Sequence, residues 1–226
     1  MRINNYDESY FNMRANSFSY QPLIVAREVF QPDNSIYPIL SKPKIRPKKM
    51  KIVAEFRGKK DISNFIAELL RHNVNIIDID DGFLYKTYVH EIDQCVTERW
   101  QGWYRLSLPV LVIQCGYEQR YKLLKENNTI INNGNYMCDC IYEIIPLKNV
   151  DSITIDKITI KNLVEGNKVI LNGEAKKVFS NTEVNKYNDC IFGDNQFPKV
   201  DPGVNTIHIS NYSDVEINLI FTPIYI

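Results

Sequence analysis

Three histidines are the side chains of this sequence best suited to acid–base or metal chemistry, and they lie far apart. His72 falls at the end of a helical pattern, whereas His90 and His208 fall on strand patterns. Catalysis or zinc binding needs histidine close to other ligands or to a carboxylate, commonly at short fixed spacings. We therefore predict structural positions for all three and no shared catalytic or metal role.

An acidic run and the absence of common catalytic motifs also argue against a metal-binding or catalytic site. The run Asp78-Ile79-Asp80-Asp81-Gly82 has its glycine at position 5, whereas a calcium loop of the EF-hand type needs it at position 6. It predicts a turn after a strand. No GxSxG, GxxxxGK[ST], GxGxxG or HExxH motif is present, and no carboxylate pair can be selected, because the separation of such a pair is spatial. The sequence thus predicts no enzyme and no catalytic, cofactor-binding or metal-binding residue.

Cysteine and aromatic residues have plain structural interpretations. The five cysteines form no CxxC pair, which favours a reduced cytosolic chain over a secreted one. Cys138 and Cys140 share one face of a predicted strand with Cα atoms about 6.6 Å apart, so we expect two small core residues and no redox pair. Trp100, Trp103 and Tyr104 could stack on a sugar ring, but core or interface positions are favoured.

Composition excludes several classes of function. The 226 residues carry 27 basic and 27 acidic side chains, so broad binding to nucleic-acid phosphates is not expected. The sequence contains no run of about 18 apolar residues, so we predict no membrane-spanning helix. The chain starts with polar residues, so we predict no export signal.

The first half of the chain predicts a β domain with one helix. Residues 1–48 contain five prolines and are expected to form short extended pieces and loops, including a basic segment at 42–49. Alternation predicts strands at 50–56, 74–79, 83–92 and 103–113. Apolar spacing predicts a helix at 61–73, with Asp61 as its N-cap and Asn73 as the residue that ends it.

The second half predicts an antiparallel β-sandwich. The polar stretch 114–134 is expected to be a linker, which places the domain boundary near residue 120. Asn172-Gly173 is expected to form a type I′ turn between two strands. Short strands at regular intervals favour a sandwich, and they are predicted at 136–145, 152–155, 157–160, 168–171, 176–180, 206–210 and 214–221.

The end of the chain resembles the distal tail (Dit) proteins of long-tailed bacteriophages. The resemblance is carried by a loop and a closing strand, Phe197-Pro198-Lys199-Val200-Asp201-Pro202-Gly203-Val204-Asn205 and Phe221-Thr222-Pro223-Ile224-Tyr225-Ile226. The first is similar to an FPxLxPGxN loop, with Pro202 and Gly203 forming a turn and Asn205 able to bond nearby backbone. Asn133-Gly134-Asn135 also resembles the family's entry to its second domain, although the proline common after it is missing.

The resemblance implies a mainly β fold of two domains. Residues 1–120 would form a belt domain that closes into a ring, with its helix near 61–73, and residues 121–226 a galectin-like β-sandwich. The protein would be a hexameric hub at the virion tail tip, assembled in the host bacterial cytoplasm. It would contact further copies of itself, the tail tube protein, the tape measure protein, the tail-tip hub protein and receptor-binding proteins.

Two other interpretations stay open. A carbohydrate-binding β-sandwich that contacts glycans of the host cell surface would fit the second half of the chain. A tail-associated hydrolase would need an acid–base pair, which the sequence does not identify. No cofactor is expected under any of the three interpretations.

Overall fold

A computed structural model describes residues 1–20, 25–26, 28–31, 39–41, 44–89, 95–100, 102–182 and 185–226. Contacts divide the chain into two compact units, Met1–Gln114 and Cys115–Ile226. The division falls six residues before the predicted position near 120. Assignment of the two halves to a ring-forming domain and a galectin-like domain remains a prediction.

The first unit is built from twelve described strands. In chain order they are β1 (Arg2–Ile3), β2 (Tyr6–Asp7), β3 (Met13–Tyr20), β4 (Val25–Ala26), β5 (Val29–Phe30), β6 (Ile39–Leu40), β7 (Lys44–Ile45), β8 (Lys48–Phe56), β9 (Asn75–Asp78), β10 (Leu84–Tyr88), β11 (Cys95–Trp100) and β12 (Trp103–Cys115). The main sheet has the order β2-β1-β9-β10-β12-β8-β3, and β11 also pairs with β12. The short strands β4 and β7 pair with each other, as do β5 and β6.

The centre of this sheet comes from the two longest strands. Strands β8 and β12 pair antiparallel, with Leu108 opposite Ile52 and Leu106 opposite Ala54. All four side chains are buried. The alternation of apolar and polar residues predicted both strands, because successive side chains of a strand point to opposite faces.

The helix α1 (Lys59–Arg71) packs its apolar face on this sheet. Phe65 is fully buried, and its ring centroid lies 5.2 Å from that of Phe56. The predicted N-cap at Asp61 is wrong: Gly58 is the N-cap, and Asp61 lies in the first turn, where its carboxylate accepts a hydrogen bond from Asn12. An acidic residue there still interacts favourably with the helix dipole.

The predicted end of the helix at Asn73 is also wrong. The helix ends at Arg71, and the backbone is already extended at His72. The buried amide of Asn75, on β9, donates to the carbonyl oxygen of Leu69 at 2.9 Å. This contact satisfies a carbonyl that a left-handed residue would otherwise help to cap.

The second unit also has twelve described strands. They are β13 (Gln119–Leu123), β14 (Asn127–Asn132), β15 (Cys138–Pro146), β16 (Val150–Ile155), β17 (Ile158–Leu163), β18 (Val169–Asn172), β19 (Lys177–Ser180), β20 (Cys190–Phe192), β21 (Lys199–Val200), β22 (Gly203–His208), β23 (Val215–Phe221) and β24 (Ile224–Tyr225). One sheet has the order β13-β23-β15-β18-β19, with β21 also on β15. A second contains β16-β17-β20, and β14 pairs with β22.

These sheets share one hydrophobic core. Ile144 comes from β15, Ile153 from β16 and Ile130 from β14, and each side chain is at most 1% exposed. Sheets that cover a common apolar core are the arrangement of a β-sandwich. The structure therefore confirms the prediction of a mainly β chain with two domains and antiparallel sheets, with the predicted helix in the first.

The stretch 114–134 is not a plain linker. Strands β13 and β14 lie within it, and β13 pairs with β23 through Leu123 opposite Ile217. Leu123 and Ile130 are buried, but most of the other residues of these strands face solvent. Alternation does not identify β14, because its buried positions include the polar Asn132 and its exposed positions include the apolar Ile131.

The hairpin at Asn172-Gly173 forms, although not with the predicted type I′ turn. Strands β18 and β19 pair across a four-residue loop, and the positive φ of 54° falls at Lys176. Gly173 is needed for another reason: a Cβ atom there would lie 2.5 Å from the carbonyl oxygens of Cys140 and Pro198. The loop therefore lies directly against the backbone of β15.

Candidate functional site

The loop 197–206 is the motif that carried the family resemblance, and its own side chains hold its shape. Gly203 has a φ of 86°, which only glycine adopts without strain. The Asn205 amide donates to the carbonyl oxygens of Asp201 at 2.8 Å and Gly203 at 3.0 Å. Its side-chain oxygen accepts a hydrogen bond from the Asp201 N–H at 3.2 Å. The predicted bond between Asn205 and nearby backbone is confirmed.

A cleft of about 400 Å³ opens beside this loop within the second unit, and we call it the loop cleft. Its opposite side is the tight turn between β16 and β17, at Asp156 and Lys157. Apolar side chains of the core, including Ile158 and Ile207, contribute to the lining. The volume lies within the range of about 300–1,000 Å³ typical of small-molecule pockets.

Asp156 is the most perturbed carboxylate of the loop cleft. Its backbone has a φ of 52°, and its Oδ1 atom accepts a hydrogen bond from the His208 N–H at 2.8 Å. Partial burial raises the pKa of this carboxyl, while the bond from His208 acts in the opposite direction. The Asp156 side chain is also exposed to solvent, and an ionised carboxylate that is accessible on a fixed turn is a strong acceptor for a hydroxyl or amide donor.

Two further contacts hold the same end of the cleft. The Lys157 ammonium lies 2.6 Å from Asp194 Oδ2, which raises the pKa of the lysine. The Gly193 N–H donates to the carbonyl oxygen of Lys157 at 2.8 Å. The segment after β20 is therefore attached to the β16–β17 turn, so that Asp194 and Asp156 line one cleft.

Phe197 supplies an aromatic wall. Its ring centroid lies 4.8 Å from that of Phe192, which in turn stacks on Tyr187 at 5.3 Å. The ammonium of Lys176 lies 5.7 Å from the centroid of Phe197 and 2.8 Å from a carboxylate oxygen of Asp139. These neighbours fix the ring in place, which leaves a rigid apolar surface in the cleft.

A second cleft, of about 540 Å³, lies in the first unit beside the end of α1. Glu68 is buried there, with its two carboxylate oxygens 2.8 Å from Arg71 Nη1 and 3.3 Å from His72 Nε2. Asn4 and Asn5 line the opposite side. Because both oxygens of Glu68 already have partners, these contacts explain its burial as structural.

Solved structures similar to this chain are phage tail proteins. The crystal structure of SPP1 Dit (gp 19.1), a paradigm of the hub adsorption apparatus in phages infecting Gram-positive bacteria, aligns with a TM-score of 0.68. The alignment covers 99% of this chain and 98% of that chain at 8% sequence identity. The chain has a Dit-like fold. Sequence comparison adds nothing to this result, because no family model and no curated protein sequence matches the chain.

Two structures of the phage P2 baseplate also align with this chain. These structures, in the activated conformation with Ca and with Sr, each align with a TM-score of 0.58. The sequence identities are 9% and 10%, respectively. The alignments cover 96% and 95% of the present chain, and 92% of the baseplate chain in each case. Each of the three alignments spans both units of the present chain.

Two cysteines of this chain, Cys138 and Cys140, have the core positions that their spacing predicts. Both are buried on one face of β15, and the Cys138 thiol donates to the carbonyl oxygen of Val200 at 3.8 Å. Burial raises the pKa of the Cys140 thiol far above its ordinary value. Burial also raises the pKa of Cys190 to about 11. Thiols this poorly ionised are weak nucleophiles, which agrees with a packing role.

Other residues considered for chemistry form ordinary hydrogen bonds or ion pairs with neighbouring side chains. His208 Nδ1 lies 3.1 Å from the side-chain oxygen of Asn127, whereas His90 lies outside the described residues. Asp78 binds Arg2 at 2.9 Å, and Asp81 accepts a hydrogen bond from the Tyr85 hydroxyl. Strands β9 and β10 pair antiparallel on either side of Asp80-Asp81-Gly82, so the predicted turn after a strand is confirmed.

Of the predicted aromatic cluster and basic segment, only part is described. The side chain of Trp100 lies outside the described residues, Trp103 is 37% exposed, and the Tyr104 ring lies under the Lys59 ammonium at 5.5 Å. In the basic segment, residues 42–43 are not described, and Lys48 donates to the side chain of Gln114 at 3.0 Å.

Across the described part of the chain, no three or more His, Cys, Asp or Glu side chains come together to hold a metal ion. No described helix is both long and apolar enough to cross a membrane.

The acidic residues of the loop cleft were not found by sequence reasoning. Asp156 and Asp194 are distant in sequence and meet only because β17 pairs with both β16 and β20. The one available signal was the loop 197–206, which the resemblance singled out and which forms a wall of the cleft.

Proposed function

We propose that this protein is a structural hub of a phage tail tip, in which six copies close into a ring that joins the tail tube to the adsorption apparatus. The observation that carries the proposal is the alignment with SPP1 Dit, which spans 99% of the chain and therefore includes both units. A ring of identical subunits is a common form of closed protein assembly.

The proposal defines partners and a location. The ring would contact the tail tube protein, the tape measure protein, the tail-tip hub protein and receptor-binding proteins at the tail tip of the virion. Its role would be assembly and not catalysis, in line with the hub and baseplate parts that it resembles. Equal numbers of acidic and basic side chains favour close packing of copies, because their mutual repulsion is small.

A surface for self-association is offered by the first unit. Val29 and Phe30, the two residues of β5, are 63% and 65% exposed although both are apolar. Because consecutive strand residues face opposite sides, each side chain loses contact with water when another copy covers its own face of the strand, which is favourable. We therefore place a contact between copies at this strand.

Molar mass in solution tests the proposal directly. Six copies of the 26.4 kDa chain have a mass of about 158 kDa, which multi-angle light scattering across a concentration series distinguishes from a monomer. Electron microscopy of the large species should show six-fold rings. A chain that stays at 26.4 kDa at every concentration would contradict self-assembly of the isolated protein.

A matched pair of variants tests the position of the contact. Val29→Asp combined with Phe30→Asp should shift the equilibrium towards the monomer, because it introduces charges into the covered surface. The control is Ile131→Asp combined with Val204→Asp, an exposed cross-strand pair of apolar residues in the second unit. The control should keep the ring, and equal loss of the ring in both variants would argue against a contact at β5.

A further inference from the structure

The loop cleft has the chemistry of a binding site and takes no part in the proposed ring contact at β5. Its lining combines an exposed carboxylate on a fixed turn, an ion pair and a rigid aromatic ring, provided by Asp156, by Lys157 with Asp194, and by Phe197. The class of ligand follows from the charge, the hydrogen-bonding groups and the apolar wall, taken in turn.

The charges of the lining are close to balanced. Three carboxylates line the cleft, those of Asp156, Asp194 and Asp201, together with the ammonium groups of Lys157 and Lys199. Lys157 and Asp194 neutralise each other at 2.6 Å. The lining has one carboxylate more than it has ammonium groups, so it disfavours a phosphate or sulfate group and suits a neutral ligand that donates hydrogen bonds to carboxylate oxygens.

Hydrogen-bonding groups of both kinds face this space. The second carboxylate oxygen of Asp156 receives no hydrogen bond from the described part of the chain, because the bond from His208 goes to Oδ1. Gln196, Lys199 and Thr206 add donors and acceptors to the lining. A ligand rich in hydroxyl groups can donate to the carboxylate and accept from the amide and ammonium groups at once.

The aromatic wall completes the pattern. The ring of Phe197 is held by Phe192 and lies under the Lys176 ammonium, so that little conformational freedom is lost when a ligand packs on it. Sugar rings combine hydroxyl groups at their edges with apolar C–H groups on their faces. We infer that the loop cleft binds a neutral saccharide, with Asp156 as hydrogen-bond acceptor and Phe197 as the packing surface.

The test uses the full chain and defined probes. Glucose, galactose, N-acetylglucosamine, cellobiose, lactose and chitobiose would be screened by saturation-transfer NMR, with glycerol 3-phosphate as an anionic probe, and binding sugars would be titrated by calorimetry. At least one neutral sugar should bind in a saturable way with millimolar or tighter affinity. Binding of glycerol 3-phosphate alone, or of no probe at all, would overturn the inference.

Matched variants then place the sugar in the cleft. Asp156→Asn and Phe197→Leu should each raise the Kd about tenfold or more, because one removes a charged acceptor and the other an aromatic face. Asp151→Asn and Tyr212→Leu change an exposed carboxylate and an exposed aromatic ring outside the lining, and they should leave the Kd unchanged.

The Asp156→Asn substitution is chosen so that loss of sugar binding cannot be ascribed to misfolding. Asp156→Asn keeps an acceptor oxygen for the His208 N–H and removes a carboxylate whose pKa is raised by burial, so this variant should fold. Sugar binding that survives Asp156→Asn and Phe197→Leu undiminished would place the sugar elsewhere and overturn the inference. The mass measurement is independent of both results, so failure of the ring and failure of the saccharide site are distinguishable.

Discussion

Gly173→Ala should destabilise the second unit strongly, although glycine at this position does not have a positive φ. A Cβ atom would lie 2.5 Å from the carbonyl oxygens of Cys140 and Pro198, and 3.2 Å from the Cys140 nitrogen. All three are backbone atoms, so no side-chain rotation can relieve the overlap. The oxygens can move only if the backbone of β15 and of the loop at Pro198 shifts.

The cost can be worked from the contacts that such a shift would disturb. The Gly173 N–H donates to Cys140 O at 2.8 Å, and the Cys140 N–H donates to Pro198 O at 3.2 Å. Overpacking costs about 1–3 kcal/mol and each weakened hydrogen bond about 1 kcal/mol, so we expect a loss of about 3 kcal/mol or more.

Gly166→Ala is the matched control, since Gly166 has a φ of 70° and no atom within 4 Å of an added Cβ. Its cost should be about 1–2 kcal/mol, from backbone conformation alone. Hydrogen exchange with mass spectrometry would measure both variants in peptides from Cys138–Pro146 and Val169–Asn172. Gly173→Ala should raise the opening equilibrium there by about a hundredfold or more. Equal effects of the two substitutions would refute the close-approach explanation.

Three other predictions concern single side chains. Asn132→Ala should cost about 2–3 kcal/mol in urea unfolding, because it removes a buried amide that donates to Val200 O at 3.3 Å and accepts from the Gly134 N–H at 2.9 Å. The Lys168 hydrogen bond lowers the pKa of Glu143 from 4.5, so this ion pair adds stability above the unfolded pKa and loses it as pH falls through the folded pKa. The stability deficit of Lys168→Met should therefore shrink in acid unfolding titrations below pH 4.5. Cys190, with its pKa raised to about 11, should react with iodoacetamide about a hundredfold more slowly in the folded chain than after denaturation.

Alternation predicted the strands that have one buried and one exposed face. Strand β15 is the clearest case, since Cys138, Cys140, Tyr142 and Ile144 are buried and the residues between them are partly exposed. Strand β20 was missed because it has three residues, and its one exposed side chain, Ile191, is apolar. A period of two cannot be recognised over so short a length.

Turn and cap chemistry was harder to predict than the strands, because distant residues decided it. Asn75 lies on the strand after α1, and its side chain donates to the Leu69 carbonyl at the end of the helix. This distant contact takes the capping role that was predicted for Asn73. Gly173 is required by the backbone of β15 and not by its own φ. By contrast, the side chain of Asn205 bonds to the backbone of Asp201 and Gly203. That contact was predictable because every partner lies within four residues of it.

The candidate site shows the same division between local and distant causes. The loop 197–206 could be recognised from its own residues, whereas the acidic side of the cleft depends on strand pairing between β16, β17 and β20. A carboxylate that gains its importance from partial burial leaves no sequence signal. Asp156 is followed directly by a lysine, and in sequence it looks like any polar turn.

Ring formation and sugar binding should be separable, because the residues proposed for them lie in units with separate hydrophobic cores. Val29→Asp combined with Phe30→Asp should lower the mass measured by light scattering and keep the Kd for sugar. Asp156→Asn should raise that Kd and keep the mass of the ring. Both quantities would be measured on both proteins in one buffer. If the ring variant also lost sugar binding, the sugar would depend on assembly, and the loop cleft of a single chain would not be the complete site.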